Sequence, residues 1–161
     1  MTIEVRPATA QDAPALAAIL NAIIAKGGTT AHEVPFSAAN ILDHYLLGPG
    51  AICCHAAFMA GKSVGFQALD RNAALPEGWG DIATFLTEDA RGSGAAAALF
   101  AASCAAAKVL GVTTLNATIR ADNVPGLAYY ARIGFHDYSH DSDYCLKDGT
   151  RVGRVSRRFD L

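Results

Sequence analysis

Residues 84–96, Thr-Phe-Leu-Thr-Glu-Asp-Ala-Arg-Gly-Ser-Gly-Ala-Ala, constrain this chain more than any other stretch. An apolar strand closes at Leu86, an acidic turn follows, and Arg91 opens a glycine-rich loop that runs into an alanine-rich helix. Such a loop presents unpaired backbone N–H groups at a helix N-terminus. There the helix dipole favours negative charge, and glycine lets a ligand approach the backbone. Arg91 adds a fixed positive charge. The pattern points to a phosphorylated cofactor held on a strand–loop–helix unit.

Three phosphate loops compete for this reading. Gly61-Lys62-Ser63 resembles the tail of a nucleoside-triphosphate loop, but the glycine required five residues before Gly61 is Ala56. The triplet also lies between two apolar runs, where Ala60-Gly61-Lys62 reads as a hairpin turn. Gly92-x-Gly94-x-x-Ala97 fits the loose dinucleotide fingerprint of an NAD(P)-binding oxidoreductase. That fold needs the loop behind its first strand with further βαβ units after it, whereas most of this chain precedes the loop. The third reading is coenzyme A.

A second segment supports the third reading. Asn123 and, seven residues on, Tyr130-Ala-Arg-Ile-Gly-Phe135 follow a short strand at 113–119 and span a helix ending at Gly134. Together the two segments resemble the GCN5-related N-acetyltransferase (GNAT) family. Arg91-Gly-Ser-Gly-Ala-Ala96 is similar to its Arg/Gln-x-x-Gly-x-Gly/Ala pyrophosphate loop, and Tyr130 to Phe135 to its Tyr-x-x-x-Gly-Phe signature. The resemblance runs from Ile3-Glu-Val-Arg-Pro-Ala8 to the final hairpin. It is nearest the branch that acetylates phosphinothricin and small amino acids. It implies an α/β (α+β) acyl-CoA N-acyltransferase fold, a strongly twisted mixed β-sheet flanked by about four helices, as a single domain over residues 1–161.

Bulk properties agree. The chain has 161 residues, 52% of them hydrophobic, and a formal net charge of −2. That length can bury its own core. No basic field is present to hold nucleic acid, and no apolar run approaches the ~18 residues of a membrane span. No charged-then-apolar leader is visible, so a soluble, cytoplasmic protein is expected. Cys53, Cys54, Cys104 and Cys145 lack Cys-x-x-Cys spacing and fall in apolar settings, where thiols behave as small hydrophobes.

The patterning predicts alternating strands and helices without a linker. A strand at 3–6 precedes a helix that starts near Thr9-x-x-Asp12 and stops at Gly27-Gly28-Thr29-Thr30. Ser37 caps a second helix over 38–47. A hairpin of 51–59 and 63–69 follows, then strand 80–87, helix 93–110, strand 113–119 and helix 124–133. A closing pair of strands flanks the Asp148-Gly149 turn.

Acetyl transfer requires a neutral amine and a proton for the leaving thiolate. A phenol of pKa about 10 is a reasonable donor to a thiolate near 8.5. The resemblance places Tyr130 beside the sulfur of coenzyme A as that general acid. Most phosphinothricin-type enzymes carry His at the position of Tyr130. The resemblance further implies that Thr84, Phe85 and Leu86 offer backbone hydrogen bonds to the pantetheine arm. Arg91, Gly92, Ser93, Gly94, Ala95 and Ala96 would cradle the pyrophosphate, and Asn123 would touch the cofactor. Asn123 also suits an N-cap, with Pro125 in the first turn of the helix.

Candidate bases are Asp81, on the fourth strand, and Glu33, in the Thr29–Ser37 segment that resembles a substrate loop. An aspartate of pKa near 3.9 is a feeble base unless burial raises it. Arg71, just after the third strand, could hold an acceptor carboxylate, and Glu33 could also bind the acceptor. The implied reaction joins acetyl-CoA and a small primary amine, an amino acid or analogue, by direct attack in a ternary complex, with no metal. Relatives in this branch are commonly homodimers. A coenzyme A-binding regulator without catalysis would keep the loop and need neither Tyr130 nor a base.

Two other clusters carry less. His136, His140, Asp141 and Asp143 crowd one segment but match no strong metal-ligand spacing. Cys104 lies about three turns into its helix, beyond the reach of the dipole at the helix start, and reads as a structural thiol.

Overall fold

Ala60 and Gly61 both take positive φ, 49° and 76°, and close a tight turn between two long antiparallel strands, β2 (Ala51–Met59) and β3 (Lys62–Asp70). Turns of this kind match the right-handed twist of the strands they join. In the computed structural model, which describes residues 2–161, this hairpin lies within a seven-stranded sheet. β1 (Ile3–Pro7) pairs antiparallel with β2, and β4 (Trp79–Leu86) antiparallel with β3. β5 (Thr114–Arg120) runs parallel to β4. β7 (Arg154–Asp160) inserts between β5 and β6 (His136–Asp141) to give the order β1-β2-β3-β4-β5-β7-β6.

Helices cover both faces. α1 (Ala13–Lys26) enters through a 3-10 turn, Ala10–Asp12, in which the Asp12 carboxylate accepts the Thr9 N–H at 2.8 Å, as the sequence pattern predicts. The same carboxylate takes two bonds from Arg6, at 2.8 and 3.0 Å, and ties the helix start to β1. Leu16, Leu20, Ile41 and Tyr45 pack with Phe66, Ala68 and Phe85 on this face. On the other face α3 (Ala95–Val109) buries Ala95, Leu99, Ser103 and Ala107, an i, i+4 stripe of mostly small residues that brings the helix close to the sheet. α4 (Val124–Arg132) completes that layer, with Tyr130 and Phe135 packed against Leu115 and Ile119.

Three expectations are corrected. The segment capped by Ser37 is α-helical only over α2 (Ala38–Ile41) and widens into a π-type turn at Leu42–Leu46, where the Leu47 N–H reaches back to the Leu42 carbonyl. The Asp148-Gly149 turn does not join β6 to β7 directly. It heads a small hairpin within the 142–153 connection, closed by Leu146 N–H to the Thr150 carbonyl at 2.9 Å and a Cys145–Arg151 bridge. Cys145 therefore is exposed rather than set in an apolar environment.

Candidate active site

β4 and β5 share a ladder only where Trp79, Gly80 and Asp81 face Thr114, Leu115 and Asn116. Beyond Asp81 the two strands part, and a cleft of about 670 Å³ opens along β4. On its other edge β4 stays paired with β3 through Leu86. The Thr87 N–H bonds the Val64 carbonyl at 2.9 Å, and antiparallel pairs alternate in whether they exchange hydrogen bonds. Phe85 with Phe66, Ala83 with Ala68, and Asp81 with Asp70 are therefore the bonded pairs. The backbones of Ile82, Thr84 and Leu86 are left facing the opening. Of the expected backbone donors, Thr84 and Leu86 face the cleft in this way, whereas the main chain of Phe85 is engaged by β3.

The cleft ends at the glycine-rich loop. Arg91, Gly92 and Ala96 line it. Gly94 adopts φ 92° immediately before α3, a left-handed conformation that costs other residues energy and turns the chain into the helix. Within the loop the N–H groups of Arg91, Ser93 and Ala95 bond the Glu88 carbonyl, the Ala90 carbonyl and Ser93 Oγ. Those of Gly92 and Gly94 find no partner among the described residues, and Ala96 lies in the first helical turn, where N–H groups are free by geometry. Arg91 is exposed and forms no ion pair among the described residues. Alternate free amides beside an unpaired arginine at a helix start are the chemistry that suits an anion.

At mid-cleft the Tyr130 hydroxyl lies 2.9 Å from Thr84 Oγ1, which also accepts the Gln67 amide at 2.9 Å. Burial pushes the Tyr130 phenol well above its ordinary value, so it holds its proton throughout the physiological range. The neighbouring Tyr129 hydroxyl and Gln67 Oε1 are buried without partners. Asn123 caps α4, accepting the Gly126 N–H at 3.0 Å, and its amide donates to the Thr29 carbonyl at 3.0 Å. Both roles leave Asn123 at the cleft wall.

The far end is acidic and aromatic. Asp81 accepts one hydrogen bond on each oxygen, from Asn116 at 2.8 Å and from Asn72 at 3.2 Å. Opposite it on β3 stands Asp70, which sequence reasoning missed. Burial, and then the charge of Asp81, raise the Asp70 carboxyl to about 7, and its Oδ1 is buried without a partner. His32, His44 and Tyr45 form the adjacent wall, with His32 Nε2 2.7 Å from the Tyr45 hydroxyl. Burial, with His44 nearby, lowers the His32 value and favours the neutral ring.

Two sequence candidates fall outside the cleft. The Glu33 carboxylate is exposed and accepts the Lys147 N–H at 3.1 and 3.2 Å, anchoring the 142–153 hairpin. Arg71 is also exposed, and its backbone N–H bonds the Gly50 carbonyl at 2.6 Å. Arg120 lies in the cleft wall and ties down the 29–32 segment. Only 8% exposed, it makes two bonds to Asp122, at 2.9 and 2.7 Å, and one to the Thr30 carbonyl at 3.1 Å. In the β6 region Asp141 and Asp143 lie 3.4 and 3.7 Å from Arg154 and Arg151. Among the described residues no three His, Cys, Asp or Glu side chains are grouped to hold a metal.

The family model for the acetyltransferase (GNAT) family matches residues 21–135. The chain belongs to the GNAT acetyltransferase family. No curated protein sequence matches it. Among solved structures, a phosphinothricin acetyltransferase from Sinorhizobium meliloti in complex with acetyl-CoA superimposes with a TM-score of 0.84 at 21% identity, over 100% of this chain and 89% of that one. An N-acetyltransferase from Staphylococcus aureus gives 0.84 at 19% identity, over 99% of both chains. A ribosomal-protein-alanine N-acetyltransferase from Brucella melitensis gives 0.83 at 21%, over 98% of this chain and 99% of that one. These likenesses establish the GNAT fold and favour no one acceptor, since enzymes named for different acceptors fit equally well.

Proposed function

We propose that this GNAT acetyltransferase moves the acetyl group of acetyl-CoA to a primary amine of a small molecule, an amino acid or analogue, by direct attack in a ternary complex. The observation that carries the reading is the split between β4 and β5, which links the anion cradle to Tyr130 and the acidic pair in one cleft. Gly92, Gly94 and Ala96 amides with Arg91 suit a pyrophosphate, and the open edge at Thr84 and Leu86 suits an extended amide-bearing arm. That fit, and the acetyl-CoA complex of the Sinorhizobium neighbour, support acetyl-CoA as co-substrate.

Each residue then has a defined task. The strand edge aligns the thioester along β4, which converts a bimolecular step into an oriented one. Tyr130 delivers a proton to the departing sulfur, and Thr84 fixes the direction of its hydroxyl. Asp81 and its amide partners face the amine, while the 29–32 segment and the His44–Tyr45 wall enclose the acceptor. Glu33 and Arg71, lying outside the cleft, have no part in this scheme. A cytoplasmic location remains the expectation from the sequence, and a homodimer that from the family resemblance.

The test is thermal-shift binding of acetyl-CoA, with NAD⁺, NADPH and ATP in parallel. A ligand that binds only the folded state adds about 2.7 kcal/mol of stability at one hundred times its Kd. A shift with acetyl-CoA, then thiol release in a panel of L-amino acids, phosphinothricin, polyamines and aminoglycosides, is expected. A shift with a nicotinamide nucleotide alone rejects the reading.

A further inference from the structure

Asp70 and Asp81 are a directly opposed, hydrogen-bonded pair of the β3–β4 ladder, so their side chains leave the same face of the sheet. Opposed residues of this kind have Cβ atoms roughly 5 Å apart, and two like charges at that spacing repel. That face is the one carrying Ala68, Ala83 and Phe85, and both carboxylates line the acceptor end of the cleft. Their surroundings differ. Asp81 receives an amide N–H on each oxygen. Asp70 receives none on Oδ1, which is shut away from solvent.

Among the described residues no cation relieves Asp70. None of the ion pairs among the described residues includes it. The titratable groups that feel its charge are Tyr45 from the turn after α2, Cys53 and Cys54 from β2, and Asp81 from β4. Burial pushes Cys53 to about 11 and Cys54 to about 12, so both are neutral thiols. Tyr45, raised further still, is a neutral phenol. Asp70 is thus a carboxylate between apolar walls, neutral hydroxyl and thiol groups, and one anion. Two neighbouring carboxyl groups held in unlike surroundings are a recurring acid–base arrangement.

We propose that Asp70 is the catalytic base, accepting the proton from the acceptor ammonium, while Asp81 with Asn116 and Asn72 holds that ammonium in place. The assignment rests on the acetyl-transfer reading above. An ammonium bound between the two carboxylates gives one N–H proton to Asp70 and becomes a neutral amine. Its lone pair forms the C–N bond to the acetyl carbon, the C–S bond breaks, and its electron pair leaves on sulfur. Sulfur takes the Tyr130 proton, and the second proton lost from nitrogen restores Tyr130. The proton on Asp70 passes to water, so one acetamide, one thiol and one proton leave. A group that titrates near 7 suits this task because it is both basic enough to accept the proton and unprotonated often enough to do so. Asp81 satisfies the first step less well, since its oxygens already serve two amide donors.

The decisive measurement is a ¹³C NMR titration of the aspartate carboxyl carbons of the full chain without ligand, assigned with Asp70→Asn. A midpoint near pH 7 for Asp70 that moves down in Asp81→Asn, where the neighbouring charge is gone, is expected. A midpoint below pH 5 overturns the assignment and leaves the acetyl-transfer reading untouched. In kinetics, with acetyl-CoA and the fastest amine of the panel, Asp70→Asn should lower kcat/KM by about 10²-fold or more and abolish the acidic limb near pH 7. Its acetyl-CoA affinity should stay within about twofold of wild type, and Asp70→Glu should recover part of the rate. Retention of the limb in Asp70→Asn with its loss in Asp81→Asn makes Asp81 the base and overturns the proposal. Failure of the wild-type chain to bind acetyl-CoA overturns the parent reading, and this assignment with it.

Discussion

The Tyr130 hydroxyl and Thr84 Oγ1 stand 2.9 Å apart, on α4 and on the open edge of β4 respectively. The contact joins the two motifs that the chain carries far apart in sequence, midway along the cleft. A phenol buried to this extent remains protonated, which a general acid for thiolate requires. Tyr130→Phe should therefore reduce kcat by about 10²-fold with little change in acetyl-CoA affinity. Stopped-flow thiol release and calorimetric binding read the two quantities separately. An unchanged kcat removes Tyr130 from proton transfer.

Asp70 makes stability depend on pH in a predictable direction. Its native value, about 7, lies above the ~3.9 of an unfolded aspartate. Between those values the native state binds the extra proton, so stability is greatest below the window and falls as pH rises through it. Asp12 and Asp122, held low chiefly by their arginine partners, act below this window. The Tm of wild type should drop between pH 5 and pH 8 more than that of Asp70→Asn, leaving the variant ahead at pH 8. Parallel Tm curves would mean that Asp70 ionises normally.

The glycine-rich loop before α3 yields a binding prediction. Arg91 is exposed and unpaired among the described residues, so its charge is available to a ligand. Arg91→Ala should weaken acetyl-CoA binding by about tenfold, or ~1.4 kcal/mol, and reduce the dependence of Kd on salt. Gly94→Ala acts differently. It places a Cβ on a residue at φ 92°, which costs about 1–2 kcal/mol and disturbs the turn that aims the loop amides. Calorimetric titration at two ionic strengths distinguishes the cases, and identical salt slopes for wild type and Arg91→Ala would place the pyrophosphate elsewhere.

How much of this was legible follows the distance over which each feature is encoded. The glycine loop, the Asn123 cap and the Tyr130 signature are local patterns of a few residues, and each lies where its spacing predicts. Asp70 was invisible because its character comes from strand register, which pairs it with Asp81 across an intervening loop. Phe85 was misread for a related reason. Strand alternation gives every second backbone unit to β3, and only register reveals which. Glu33 looked catalytic from its neighbours in sequence, yet its carboxylate is spent on the Lys147 N–H in a hairpin near the other end of the chain. Arg120, the clamp on the 29–32 segment, stands outside both motifs and gave no pattern to find.

That clamp yields the last prediction. Arg120 and Asn123 hold the carbonyls of Thr30 and Thr29, so two side chains from the β5–α4 junction fix the segment that walls the cleft near Asp70 and Asp81. Arg120→Ala removes a nearly buried guanidinium and strands the Thr30 carbonyl, but its partner Asp122 is 43% exposed at the side chain and can turn to water. The loss should be about 1–3 kcal/mol, nearer a hydrogen bond to a charged group than a fully buried ion pair. Asn123→Ala removes both the α4 cap and the Thr29 tie and should cost about 1–2 kcal/mol. In each variant the acceptor KM should rise while acetyl-CoA affinity changes less in Arg120→Ala than in Asn123→Ala, because only Asn123 also shapes the start of α4. Hydrogen exchange at residues 29–32 reports the loosening directly. Full protection of those amides in Arg120→Ala would show that the segment is held by His32 and Tyr45 instead.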